Sequence, residues 1–97
     1  MTEVVIEMSY EFEWGVIKPT DLCPYTLAID NEVYLQSLSN MQFVNAKSLI
    51  ALSTFPCHST ETVRLIVKNP IYTPEIKALE EYLEQNTHLT KKRVVAV

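Results

Sequence analysis

The chain has one glycine among 97 residues, which rules out a glycine-rich phosphate cradle and any long flexible linker. It has two cysteines, Cys23 and Cys57, too few for a disulfide framework and too far apart for a redox pair or zinc knuckle. Two thiols in a reducing cytoplasm is the simpler reading; a single Cys23–Cys57 bridge is compatible with the sequence. Basic residues are scarce, eight against twelve acidic, and the net charge of -4 argues against nucleic acid as a partner. No apolar run approaches the roughly 18 residues of a membrane span. Met1-Thr2-Glu3 starts acidic and runs straight into a strand pattern, so no signal peptide is expected. His58, His88 and the acids show no metal-ligand spacing, and no acid–base pair marks an enzyme, so neither metal nor cofactor is expected.

What is present is a pattern for one α+β domain, with no room for two cores. From Val4 to Trp14, apolar Val4, Ile6, Met8, Tyr10, Phe12 and Trp14 alternate with Glu7, Ser9, Glu11 and Glu13. That period predicts a strand with one face on a core, its glutamates forming a solvated row that discourages edge pairing. Gly15 ends it. Pro24 suits the first turn of a short helix over Pro24–Ile29. Glu32–Leu38 and Met41–Val44 read as a hairpin. Asn45–Leu52 reads as one or two helical turns capped by Asn45 or Ser48, and Glu61–Lys68 as a further strand. Thr73-Pro74-Glu75 opens a helix carrying Ile76, Leu79 and Leu83 at helical spacing. Thr90–Val97 is either a tail or an extra strand. The order is β, short α or loop, β, β, short α, β, α, implying a mainly antiparallel sheet covered on one face.

The segment Phe43-Val44-Asn45-Ala46-Lys47-Ser48-Leu49-Ile50 resembles the histidine-containing phosphocarrier HPr where that family runs from its third strand into its second helix. The resemblance spans roughly residues 4–85. It implies an open-faced sandwich, a four-stranded antiparallel sheet covered on one face by two or three helices. It also implies a cytoplasmic protein of the bacterial sugar phosphotransferase system with a protein partner.

At the family's phosphate site the match fails. There the glycine is followed by an apolar residue, then His, any residue, Arg and Pro; here Gly15 is followed by Val16-Ile17-Lys18-Pro19-Thr20. Ile17 stands at the histidine position. An alkyl chain is no nucleophile, whereas imidazole accepts and releases phosphate near neutral pH. Lys18 and Pro19 are what remains of the Arg-Pro pair, and lysine does not reproduce a bidentate arginine grip. The remnant region is Gly15, Ile17 and Lys18.

By the resemblance, Ser48 matches a serine that regulatory kinases phosphorylate, though a plain helix cap explains it as well. Leu49, Ile50 and Ser53 fall on the helix that docks partners in the family; tertiary packing covering both aliphatics is the competing reading. His58 is a solvated loop residue or a displaced phosphoacceptor. Lys91-Lys92-Arg93 reads as a solubilising cluster. The expectation is a non-catalytic, HPr-like binding or regulatory module. The alternatives are a divergent phosphocarrier with another acceptor and an unrelated small α+β binding domain.

Overall fold

A computed structural model describes residues 6–15, 17–55, 61–69 and 72–96. Val4, Val5, Cys57 and His58 lie outside the described residues.

The alternating first segment forms β1, Ile6–Glu13, with Met8, Tyr10 and Phe12 buried. Trp14 lies beyond the strand yet stays buried, with its ring 6.4 Å from Phe12 and 6.0 Å from Phe55. Gly15 then turns the chain at φ 108, a region that penalises any residue with a Cβ.

The first helix corrects the sequence expectation. α1 spans Pro19–Leu27, so Pro19, not Pro24, takes the first-turn position, and Pro24 sits inside the helix. An internal proline deletes one backbone bond, here to the carbonyl of Thr20, an exposed residue. Leu22, Cys23 and Thr26 bury the helix's inner side and offset that loss. Thr26 Oγ1 lies 3.0 Å from Cys23 O and 2.6 Å from Ala46 O, which ties the helix to the loop before α2.

β2, Val33–Ser37, and β3, Phe43–Asn45, form the expected hairpin. Its loop has no glycine, and Met41 takes the left-handed conformation at φ 60. α2 is Leu49–Ser53 and β4 is Thr62–Asn69. α3, Pro74–Asn86, has Thr73 as its cap, accepting from Ile76 N at 3.3 Å, and buries Ile76, Leu79 and Leu83.

Residues Lys91–Ala96 form β5, so the sheet has five strands where the resemblance implies four. Strand order is β3-β2-β4-β1-β5 and all neighbours are antiparallel. β1 is therefore an interior strand. Its glutamates do not guard an edge; Glu11 stands opposite Arg64 on one side and Lys91 on the other.

The register separates the two faces. Met8, Tyr10 and Phe12 align with Val67, Leu65 and Val63, which align in turn with Val33, Leu35 and Ser37. This inner layer packs with Leu22, Leu52, Ile76, Leu79 and Leu83 into one core. The open face carries Glu7, Ser9 and Glu11 beside Arg64, Ile66 and Lys68, then Tyr34 and Gln36. Among the described residues no helix is long and apolar enough to cross a membrane.

Glu80 joins β5 to α3. Lys92 bonds its Oε1 and the Tyr72 hydroxyl donates to its Oε2 at 2.6 Å. Burial pushes the Glu80 carboxyl up, but the bonds from Lys92 and Tyr72 outweigh it and hold it below its ordinary 4.5. A carboxyl depressed in the fold contributes stability above its unfolded pKa, and that contribution is lost as pH falls through the folded value. The protection of amides 91–96, relative to their intrinsic exchange rates at each pH, is therefore expected to fall below about pH 4.5. Glu80→Gln should give the same loss of protection at neutral pH and remove that part of the pH dependence.

Candidate protein-binding face

Two chain segments that the sequence singles out meet α1, one leading into it and the other bonded to its side chains. The first is the turn from Trp14 into the helix. Gly15 is exposed, Ile17 is 3% exposed and belongs to the core, and Lys18 is the exposed residue before α1. Lys18 contributes its carbonyl, which accepts from Asp21 N and Leu22 N at 3.0 Å each, and its side chain makes no cap. Pro19 brings no amide proton, and Asp21 places a negative charge in the first turn, so this helix start already has its anion. Val16 lies outside the described residues. The Ile17 side chain thus points into the core rather than toward solvent.

The second segment is the turn from β3 into α2. Asn45 Oδ1 accepts from Lys47 N at 2.9 Å, closing an Asx turn, and Asn45 O accepts from Ser48 N at 3.1 Å. Ala46 is fully buried; its N donates to Val33 O at 2.9 Å and its carbonyl receives Thr26. The Cys23 thiol is buried, free, and donates toward Lys47 O at 3.6 Å. Ser48, not Asn45, caps α2, with Oγ accepting from Ala51 N at 3.2 Å. Each residue of Asn45-Ala46-Lys47-Ser48 therefore has a local backbone task, one reason such a sequence specifies this turn. Ser48→Ala should lower stability by about 1 kcal/mol in urea unfolding, the ordinary worth of a cap.

Leu52 is 1% exposed and anchors α2 to the core. The other two aliphatics turn outward: Leu49 is 43% and Ile50 is 79% exposed, and Ser53 is exposed as well. A five-residue helix has one inward position here, and Leu52 occupies it. Leu27, at the end of α1, is 59% exposed on the helix that packs against α2. Sequence reasoning did not single out Leu27, although it lies within the expected Pro24–Ile29 helix, because a lone aliphatic carries no local sign of whether it faces the core. The Trp14–Phe55 contact links the turn before α1 to the exit of α2. The structure thus places Gly15, Ile17 and Lys18 just before α1 and Ser48 at the start of α2, with Leu49, Ile50 and Ser53 exposed on α2.

The open sheet face is of a different kind. Phe43, 57% exposed, and Tyr34 border a shallow depression of about 300 Å³ with Glu7, Ile66 and Lys68. Lys68 Nζ lies 5.7 Å from the Tyr34 ring centre. Arg64 pairs with Glu11 at 2.9 Å, while Gln36 Oε1 and Arg64 Nε, on residues paired across β2 and β4, are buried without hydrogen-bond partners. Among the described residues no three His, Cys, Asp or Glu side chains are grouped to hold a metal ion.

The described residues form an α+β fold with an open antiparallel sheet and three helices. No family model, no curated protein and no solved structure matches the chain.

Proposed function

We propose that the chain is an HPr-like scaffold without histidine phosphoryl relay, acting as a cytoplasmic protein-binding or regulatory module related to the sugar phosphotransferase system. The exposed Leu49–Ile50 pair carries this reading. A soluble domain that turns two adjacent aliphatics outward, on a helix pinned from beneath by Leu52, has a preorganised apolar anchor for a protein partner. Supporting it are the element order β, α, β, β, α, β, α through α3 and the Phe43–Ile50 block. The aliphatic, core-directed Ile17 speaks against relay chemistry, and the reading includes no catalytic activity of its own.

Intact-mass and binding measurements test it together. One arm supplies PEP and the first enzyme of the phosphotransferase system; the other supplies ATP and an HPr serine kinase. The expected result is no acid-labile phosphate in the first arm and saturable binding to one of these two proteins. Ile50→Glu should weaken that binding at least roughly tenfold while changing the unfolding free energy by less than about 0.5 kcal/mol. Phosphate on Ser48 in the kinase arm supports the regulatory form. Phosphate on His58 in the PEP arm establishes a divergent carrier and ends the proposal. Absence of binding in both arms ends it in favour of an unrelated α+β domain.

A further inference from the structure

β5 lies at one end of the sheet, with β1 on one side and, among the described residues, no strand on the other. Its register with β1 is continuous from Lys91 to Ala96, and its sequence contains neither proline nor glycine. One row of backbone donors and acceptors on this strand is therefore unpaired by the sheet. Lys91, Arg93 and Val95 project on the open face, and Lys92 and Val94 on the helix-bearing face. Lys92 is held by Glu80 and lies 6.0 Å over the Tyr10 ring. Among the described residues Lys91 and Arg93 form no ion pair, and Glu11, opposite Lys91, is paired with Arg64. Val94 is 55% and Val95 38% exposed.

We propose that this edge accepts an extended acidic segment of another protein as a sixth, antiparallel strand. The partner's chemistry follows from β1, which already pairs with β5 along its other edge. There Glu11 faces Lys91, Ser9 faces Arg93, Met8 faces Val94 and Glu7 faces Val95. A strand on the outer edge meets the same side chains. It therefore needs acidic residues opposite Lys91 and Arg93 and an apolar residue opposite Val94, an acidic–apolar alternation. The charge of the chain sharpens the choice: a molecule of net charge -4 concentrates Lys91-Lys92-Arg93 on this one edge. Main-chain bonds supply affinity in such strand addition, and side-chain pairing supplies selectivity.

A second copy of this chain is the poorer occupant. Residues opposed in an antiparallel pair share a face, so self-pairing centres on a single residue. Centred on Arg93, it opposes two guanidinium groups. Centred on Val94, it sets Arg93 against Val95 and Lys92 against Ala96, but lines six cations along one seam. Basic edge residues resist this self-association and leave an acidic strand free to bind.

The test uses a fluorescent peptide, Thr-Val-Glu-Val-Glu-Val-Glu-Thr, and a control in which proline replaces each valine. Binding is read by anisotropy and by amide exchange of residues 91–96. The expected result is saturable binding of the valine peptide alone, slowed exchange confined to β5, and affinity that falls as salt rises. Lys91→Gln with Arg93→Gln, with an unchanged circular dichroism spectrum, should weaken it roughly tenfold. Equal binding of the proline control overturns the proposal, since attraction of charge would then suffice without a strand. So does protection outside β5, absence of binding, or protection of β5 that grows with protein concentration when no peptide is present.

Discussion

Leu65→Ala should remove about 2–5 kcal/mol of stability and leave much of the chain unfolded at physiological temperature. Leu65 lies in β4, in the middle of the sheet, with Tyr10 opposite on β1 and Leu35 opposite on β2. All three side chains are fully buried. With strands on both sides and helices above, the site has little room to collapse around the missing atoms, so the cavity penalty adds to the lost transfer energy. A domain of this size has a net stability near the low end of the usual 5–15 kcal/mol, so one such loss consumes a large part of it. Urea unfolding reads the change as a drop in midpoint at constant slope. Val95→Ala, on an exposed strand, should stay within about 0.5 kcal/mol. Equal effects from the two substitutions would contradict the assignment of faces.

Ile17→His should fail to restore a phosphoacceptor and should cost about 2–4 kcal/mol. The substitution supplies the residue type that the HPr resemblance lacks, and chemistry alone would favour it. Position decides otherwise. Ile17 is 3% exposed and packs in the main core, so an imidazole there exchanges alkyl packing for a polar ring that must find hydrogen bonds away from water. Burial disfavours the charged ring, so protonation should be deferred to lower pH; the acidic solution would then draw the chain toward the unfolded state. Pro19 and Asp21 at the start of α1 provide neither a spare amide at the first position nor a welcoming charge for phosphate. Incubation with PEP and the first phosphotransferase enzyme should add no mass to this variant, while thermal unfolding should shift clearly downward. A stable variant that takes up acid-labile phosphate would refute the core placement of this residue.

Much of the architecture could be read from local patterns because those patterns are themselves the physical cause. The alternation through β1 needs only a core on one side. The Thr73-Pro74-Glu75 start of α3 and its Ile76, Leu79, Leu83 stripe act within a single helix, so their reading survives in the fold. The first helix was misread because two prolines competed for one role. Local rules favour either as the opening residue, and the choice of Pro19 follows from burying Leu22, Cys23 and Thr26 against distant elements.

The binding face divides in the same way. Asn45, Ala46, Lys47 and Ser48 act through hydrogen bonds near in sequence or through small size, and their motif was legible. Which aliphatic of α2 turns inward was not, because that depends on what lies beneath; the core takes Leu52 and leaves Leu49 and Ile50 outside. Leu27 lies within α1 on either reading, and only the packing beneath the helix shows that it stays outside.

By itself the sequence determined composition class, the alternation of strands and helices, the caps, and the lack of a nucleophile at position 17. Tertiary structure alone decided strand order, and with it the meaning of two charge patterns. The glutamates of β1 would guard an edge if β1 were one; with β5 beside it, Glu7 and Glu11 become interior members of an open face. Lys91-Lys92-Arg93 would be a soluble tail if it were free; paired with β1 and tied to Glu80, it becomes a basic sheet edge. The physical reason is that strand pairing joins residues some eighty positions apart, and no local propensity encodes which of the available edges the last strand will join.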